Sequence, residues 1–463
     1  MNKKLEEFNS YLKNKKVAII GLGVSNLPLL KYMNKKEAIV TVFDNREMEN
    51  IPKEAYDEIK RYDMLHFFGR NALENLKGFD IIFRSPSCMP TIREIVEEEK
   101  RGAIVTSEIE MLMKLCPGTV IGVTGSDGKT TTTSLIYEIL RTAGYNCYLG
   151  GNIGTPLFTK LSEMHEEDYI VLELSSFQLM NMEISPKISV ITNVSPNHLN
   201  VHSSYEEYIE AKKNIFKSQK KDDIIVLNYD NDITRKAAKE AESKVVFFSR
   251  KTKLDDGIII DDGIIKECND RVRRHIINTK DTNLRGVHNY ENISAAIAAT
   301  RTLTDVDTQV KAIKAFMGVE HRIEFVREIE GVKWYNDSIG TSPTRTMAGL
   351  NSFDEKIVLI AGGYDKHLDY EPLAKPILEH VRALVLLGQT AGKIFEAVKK
   401  EGEVQGKNID TYMCEDLKDA VKVAKKTAEA GEVVLFSPAS ASFDMFKNFE
   451  ERGKKFKEIV NEI

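Results

Sequence analysis

Short apolar runs alternate with longer amphipathic segments along almost the whole chain, and this rhythm restricts the fold more than any other feature. Val17–Ile20, Ile39–Phe43 and Phe79–Phe83 read as buried strands. So do Val120–Val123, Tyr169–Leu172 and Ile188–Ile191, and then Ile357–Ile360, Ala383–Leu387 and Val433–Phe436. Nearly continuous apolar strands suit sheets covered on both faces, and helices between them supply the crossovers that parallel strands need. The pattern predicts an α/β chain with mostly parallel sheets. Two breaks interrupt it: a Pro-Gly turn at Cys116-Pro117-Gly118, and Met317-Gly318-Val319 after an Ala-rich helix over Asn292–Thr304. The expected domains are 1–116, 117–317 and 318–463, and 463 residues suffice for three cores. Asp255–Asp270 alternates short apolar and turn residues, which predicts a small β excursion inside the middle domain.

Charge and cysteine usage narrow the function. Lys and Arg number 65 and Asp and Glu 70, a formal charge of −5, which disfavours wrapping by nucleic acid. The five cysteines are scattered without a C-x-x-C pair, so neither a disulfide framework nor a thiolate metal site is expected. The charged start of the chain lacks the apolar core of a secretory signal, and no apolar run approaches the ~18 residues of a membrane span. A cytoplasmic enzyme without nucleic-acid or membrane partners is the expectation.

The sharpest motif is Thr124-Gly125-Ser126-Asp127-Gly128-Lys129-Thr130-Thr131. A strand enters it, and a helix leaves it with Leu135, Ile136, Ile139 and Leu140 on one face. Strand, glycine turn, Lys-Thr and helix is the arrangement that cradles polyphosphate. The glycines let backbone N–H groups approach, Lys129 supplies a cation for the β/γ oxygens, and the Thr130 hydroxyl suits Mg²⁺. The nearest preceding glycine is not at the strict GTPase spacing, so ATP is the expected nucleotide.

A second glycine turn, Gly21-Leu22-Gly23-Val24-Ser25-Asn26, follows the first strand, with Asp44 and Arg46 beyond the next. It approximates a dinucleotide fingerprint in which Asn26 stands for the third glycine. NAD or FAD, another nucleotide-bearing ligand and a purely structural turn all remain open on these residues. Glu173 lies at a strand's carboxyl end, where ligands of parallel sheets gather, and is a candidate Mg²⁺ ligand. His198 follows the next strand as either a ligand or a solvated loop histidine. Lys212 and Lys213 alone read as a solvated helix face.

Taken in order, TGSDGKTT (124–131), LELSSFQ (172–178), Asn193–Asn200, YIEAKKNIF (208–216), GVHNYEN (286–292), EHR (320–322), NDS (336–338) and SPASASFDMFKNFEERG (437–453) resemble the Mur ligases, ATP-dependent amide ligases of peptidoglycan synthesis. The last block and the Ser85-Pro86 loop resemble the D-glutamate-adding branch most. The resemblance spans the whole chain. It implies a Rossmann-like N-terminal domain, a central P-loop ATPase-like domain and a Rossmann-like C-terminal domain. It implies an acyl-phosphate route that joins D-glutamate to UDP-N-acetylmuramoyl-L-alanine, by a monomer; with ligands assigned to separate domains, closure of the C-terminal domain over the site is the expectation.

The resemblance also implies residue roles. Gly125, Ser126, Asp127, Gly128, Lys129, Thr130 and Thr131 would hold ATP, with Asn289 and Asn292 at the adenine and Arg322 and Asp337 at the ribose and phosphates. His321 precedes that arginine. Thr130, Glu173, His198 and a carbamylated Lys212 would serve two Mg²⁺ ions, and Lys129, His198 and Lys212 would be catalytic. Ser25, Asn26, Asp44, Asn45, Arg46 and Ser85 would bind the uridine nucleotide, and Asn152 that substrate or its amino acid. Thr341, Lys366, Ser442 and Phe449 would hold D-glutamate. Three departures stand out: Asn197 and Asn200 replace acids, Ile339 replaces a lysine, and Asp127 stands where Asn is common.

Overall fold

The computed structural model describes residues 2–196, 202–270 and 272–463. Its strands fall into three sheets. The first comprises β1 (Lys16–Ile20), β2 (Ile39–Asp44), β3 (Leu65–Phe68), β4 (Ile81–Arg84) and β5 (Ile104–Thr106), in the order β3-β2-β1-β4-β5. Every pairing is parallel. Strand side chains alternate between faces, and here both faces are covered. Val17, Ile19, Val42 and Phe83 pack with Leu29, Leu30 and Ile59, while Ala18, Ile20, Phe43 and Ile82 pack with Ile95 and Leu76. The fourth strand begins later than its apolar run suggests. The N–H groups of Gly78 and Phe79 turn to Glu98 Oε2, at 2.6 and 3.0 Å, instead of entering the ladder.

The second sheet holds β6 (Thr119–Thr124), β7 (Cys147–Gly151), β8 (Tyr169–Glu173), β9 (Ile188–Ile191), β10 (Ile224–Asn228), β11 (Lys244–Ser249), β12 (Gly257–Asp261), β13 (Ile264–Asn269) and β14 (Val272–Asn278). Their order is β14-β13-β12-β11-β10-β9-β6-β8-β7. The expected β excursion is present and antiparallel, and it gains β14 as a further strand. Val272–His275 is exposed and carries two arginines, and only Ile276 and Ile277 are buried, so that strand carried no apolar alternation.

The third sheet is β15 (Glu324–Ile329), β16 (Val332–Asn336), β17 (Ile357–Ala361), β18 (Val381–Leu387), β19 (Asp410–Cys414) and β20 (Val433–Phe436), ordered β15-β16-β20-β17-β18-β19. Only the β15–β16 pair is antiparallel. Two layers of apolar side chains cover its faces, one around Leu359, Leu384 and Leu435, the other around Val358, Val385 and Phe456. The three-domain, mostly parallel α/β prediction holds.

The chain forms two compact units: Met1–Thr279 with Tyr290–Ile313, and Lys280–Asn289 with Lys314–Ile463. The short stretch Lys280–Asn289 joins the second unit because Asn283 Nδ2 donates to Lys314 O at 2.8 Å and Arg285 pairs with Glu355. The Ala-rich helix runs over Val287–Thr300 rather than Asn292–Thr304. Among the described residues no helix is long and apolar enough to cross a membrane.

Candidate active site

In the second sheet β6 lies between β8 and β9, so the loop leaving β6 is flanked by the ends of both neighbours. That is where the glycine motif sits. The helix Lys129–Thr142 starts at Gly128, whose φ of +79° is left-handed and free of strain only for glycine. At Gly125 an added Cβ would run into the Thr192 hydroxyl. Thr192 and Asn193, just past β9, brace the loop. Thr192 Oγ1 donates to Asp127 O at 2.5 Å, and Asn193 takes the N–H groups of Ser126 (2.9 Å) and Asp127 (3.0 Å). The donors for an anion therefore include the first-turn N–H groups at Thr130 and Thr131, which a helix cannot bond internally. Asp127 itself is exposed.

Two lysines converge on the loop. Lys129 Nζ donates to the carbonyls of Gly125 and Ser126, each at 2.9 Å. Lys212 Nζ reaches the same Gly125 carbonyl at 2.8 Å from the helix Tyr205–Lys213, and its side chain is 2% exposed. Burial, and then the charge of Lys129, hold the Lys212 amine well below the usual lysine range. Lys213, one residue on, pairs with Glu210 and Glu240 at the surface. The reading of both as a solvated face fails for Lys212, since consecutive helical residues point about 100° apart.

Glu173 ends β8 and is 2% exposed. Its Oε1 accepts from Asn152 Nδ2 at 2.9 Å, while Oε2 is buried without a hydrogen-bond partner. An orphaned, buried carboxylate oxygen close enough to Lys212 to act on its charge fits a divalent cation. Among the described residues no three His, Cys, Asp or Glu side chains cluster as a metal cage. Mg²⁺ needs none, because one or two carboxylates plus substrate phosphates suffice. His198, with Asn197 and Asn200, lies outside the described residues. Asn292 is buried beside the loop, its Oδ1 3.4 Å from Thr132 Oγ1. Asn289 falls in the other unit, its Nδ2 held by Arg285 O.

The N-terminal residues gather at the carboxyl ends of β1, β2 and β4. Asp44 is buried, and its carboxylate takes the Leu22 N–H at 2.8 Å and three donors of Arg46 at 2.7–3.0 Å. Burial works to raise its pKa, but these hydrogen bonds win and hold it low. Asp44 thus shapes the glycine turn and aims Arg46, and its oxygens are engaged within the chain. Asn26 fills the third-glycine position with a buried side chain that donates to Ile20 O and Gly21 O, both at 3.0 Å. Its Oδ1 has no partner. Ser85 Oγ sits 3.0 Å from Ser87 Oγ; Ser25 is half-buried and Asn45 exposed.

In the second unit, Asp337 follows β16 and is buried. Its carboxylate accepts from Ser437 Oγ at 2.6 Å and the Ile323 N–H at 3.3 Å. Burial pushes its pKa up to about 6, against Ser437's hydrogen bond and the charge of Arg322, which is half-buried. His321 is buried with a φ of +65°, its Nδ1 2.9 Å from Asn336 Nδ2. Arg345 donates to the Ile339 carbonyl at 3.1 Å, which brings a cation to the loop where lysine is missing. Thr341 is half-buried, Ser442 is buried, and Phe449 opens the helix Phe449–Glu462. Lys366 is exposed, its Nζ 5.2 Å from the Phe443 ring centre.

Sequence reasoning missed Arg452. Its guanidinium, 3% exposed, bonds Ser338 Oγ and O, Ser440 O and Ala441 O at 2.8–3.1 Å, tying the Asn-Asp-Ser loop to the Ser-rich one. Nothing local distinguishes it from the charged neighbours on its helix.

Comparison with known proteins identifies the family. Three family models match in succession: the MurD-like N-terminal domain of Mur ligases over residues 15–107, the Mur ligase middle domain over 123–300, and the Mur ligase glutamate ligase domain over 321–440. The chain is 52% identical to the UDP-N-acetylmuramoylalanine–D-glutamate ligase of Acetivibrio thermocellus and 47% to that of Clostridium novyi, with all of each chain covered. Among solved structures it resembles the UDP-N-acetylmuramate-alanine ligase MurC of Thermotoga maritima (TM-score 0.59, 19% identity, 97% of this chain and 99% of that one). It also resembles the MurF ligase of the same organism, solved with ADP (TM-score 0.54, 18% identity, 98% and 97%). At that identity these two structures speak to the fold alone. The full-length identity to curated relatives and the three consecutive domain matches establish that the chain belongs to the UDP-N-acetylmuramoylalanine–D-glutamate ligase family of Mur ligases.

Proposed function

We propose that this chain uses ATP to join D-glutamate to UDP-N-acetylmuramoyl-L-alanine, a step of peptidoglycan precursor synthesis, as a cytoplasmic monomer with functional domains near 1–116, 117–317 and 318–463. The observation that carries the reading is Lys212: a buried amine on the phosphate loop, beside a glutamate oxygen that has no partner.

The γ-phosphoryl of ATP passes to the alanine carboxylate and ADP is left; the amine of D-glutamate then attacks the acyl carbon, inorganic phosphate leaves, and the nitrogen gives up a proton as the amide forms. Two anions meet in the first step, so the site must offset their repulsion. Lys129 and the first-turn N–H groups at Thr130 and Thr131 do so at the phosphates. Glu173 Oε2, Thr130 and a carbamate on Lys212 would hold Mg²⁺, with His198 beside it, and the bound ions would supply further charge neutralisation. A neutral amine is the form that adds to CO₂, so the depressed Lys212 pKa favours carbamylation. The carbamate also gives Lys129 a counter-charge.

The other roles follow their positions. Ser25, Asn26, Asn45, Arg46 and Ser85 bind the uridine nucleotide, with Asp44 acting through Arg46. Asn152, fixed by Glu173, contacts the alanine end. Asn289, Asn292, Arg322 and Asp337 hold the nucleoside and phosphates of ATP, and Thr341, Lys366, Ser442 and Phe449 hold D-glutamate. A coupled phosphate-release assay tests the reading, with each amino acid offered against the UDP-sugar. D-glutamate alone should give rapid release, and folded protein that releases none with any amino acid overturns it.

A further inference from the structure

One buried histidine in the first unit has no part in the chemistry above. His202 precedes the helix Tyr205–Lys213, and its side chain is wholly buried although the segment around it is short and polar. Its Nε2 lies 2.9 Å from Ser176 Oγ. Its Nδ1 faces Glu207 Oε2 at 3.3 Å without the alignment of a hydrogen bond. The ring stacks on Phe177, with centres 5.0 Å apart and planes 11° apart, and meets Tyr208 edge-on at 5.2 Å. In order these groups are serine, histidine and carboxylate. A nucleophile relay needs an approachable hydroxyl, and Ser176 is buried, so the arrangement is a brace.

The brace connects parts that carry the site. Ser176 stands three residues beyond Glu173. Ser175, between them, closes a capping box with Gln178 that fixes the turn. Glu207 belongs to the first turn of the helix that carries Lys212; it accepts the Ser203 N–H at 2.7 Å while its own N–H bonds Ser204 Oγ. Tyr208, against which the imidazole packs, places its hydroxyl 2.9 Å from Ser126 Oγ and its ring 4.6 Å from Lys212 Nζ. A purely apolar side chain would fill this slot without burying polar atoms. Asn214, capping the far end of the helix, already bonds Leu179 O and Met180 O at 2.9 Å, and the imidazole adds a directional tie at the helix's N-terminal end, nearer Glu173.

We infer that His202 is a positioning residue for the phosphate and metal site, holding the Glu173 turn and the Lys212 helix in register with each other and with Ser126. The inference rests on the reading that Glu173 and the glycine loop bind Mg²⁺·ATP. It is tested by calorimetry on the full chain, using Mg²⁺·AMP-PNP and, separately, UDP-N-acetylmuramoyl-L-alanine. His202→Leu should weaken Mg²⁺·AMP-PNP by about five-fold, the scale of one lost hydrogen bond, and raise the Mg²⁺ needed for half-maximal turnover in proportion. The UDP-sugar should bind within about two-fold of the parent, and His202→Gln, which can still reach Ser176, should recover most of the loss. Ser176→Ala, a milder change, should move the same ligand in the same direction and decides the matter if His202→Leu does not fold. Unchanged Mg²⁺·AMP-PNP affinity in these variants overturns the inference, as does an equal loss for both ligands without rescue by glutamine. A parent chain that binds no Mg²⁺·AMP-PNP instead sinks the ligase reading itself.

Discussion

The start of the helix Lys129–Thr142 offers a perturbation whose size can be worked from the two ends of one element. Gly128 has φ +79° and Gly144, just past the other end, φ +90°. An alanine at either position must adopt a left-handed backbone, at ~1–2 kcal/mol. Their surroundings differ. A Cβ at Gly144 meets nothing within 4 Å, whereas at Gly128 it falls well inside 3.0 Å of Asn292 Oδ1. Either the buried Asn292 rotates, losing its contact to Thr132 (~0.5–1.5 kcal/mol), or the helix start shifts by roughly 1 Å. Gly128→Ala should therefore destabilise by about 2–3 kcal/mol, and Gly144→Ala by about half of that, with each kcal/mol lowering the melting temperature by about 2–4 °C. Nucleotide binding should separate them further. Displacing one first-turn N–H from a phosphate oxygen removes a charge-assisted hydrogen bond of ~1.5–3 kcal/mol, so Gly128→Ala should bind Mg²⁺·AMP-PNP ~10–100-fold more weakly while Gly144→Ala binds normally. Thermal melts and calorimetry on the pair give the answer. Equal melting losses with parental affinity in both would refute the claim that this helix start cradles phosphate.

Other outcomes follow from single groups. Burial pushes the Glu108 carboxyl up to about 7. The folded chain then holds that proton more tightly than the unfolded chain between pH 4.5 and about 7, so stability falls as pH rises through this window. Glu108→Gln, which keeps an acceptor for the Phe158 N–H, should melt higher at pH 8, by up to about 3 kcal/mol, and match the parent at pH 4; a variant less stable at pH 8 contradicts this. Lys212→Ala should cripple turnover, and ¹³C-bicarbonate should give the parent a carbamate resonance that the variant lacks; active enzyme without that signal excludes the carbamate. Glu173→Gln keeps the Asn152 contact but removes the charge on the partnerless oxygen, so the Mg²⁺ requirement should rise at least about ten-fold in a titration of activity. Lys366→Ala should raise the KM for D-glutamate while leaving that for ATP unchanged; the reverse pattern reassigns Lys366.

Much of the site was legible because its signals are local. The glycine loop needs a strand, two permissive residues and a Lys-Thr start within eight consecutive positions, and the structure assembles it as read. Glu173 was legible from its place at a strand terminus. The Asn193 brace was not, because its meaning depends on β9 lying beside β6, which strand order decides. Asp44 shows the same limit from the other side: its position at the end of β2 was readable, yet whether its oxygens face a ligand or Arg46 depends on side-chain packing. The β14 strand escaped notice because its first four residues are exposed and its two buried isoleucines are adjacent, which leaves no apolar alternation.

By itself the sequence determined the α/β architecture, the three sheets' general locations and the strand–glycine turn–helix loop after β6, because apolar periodicity and backbone permissiveness are properties of neighbours along the chain. Only the tertiary structure decided which polar side chains became chemical groups. Lys212 and Lys213 are indistinguishable in composition, but one helical step of rotation puts the first against the Gly125 carbonyl and leaves the second among surface carboxylates. A lysine's pKa and reactivity follow the water and charges around it, and those are contributed by residues remote in sequence.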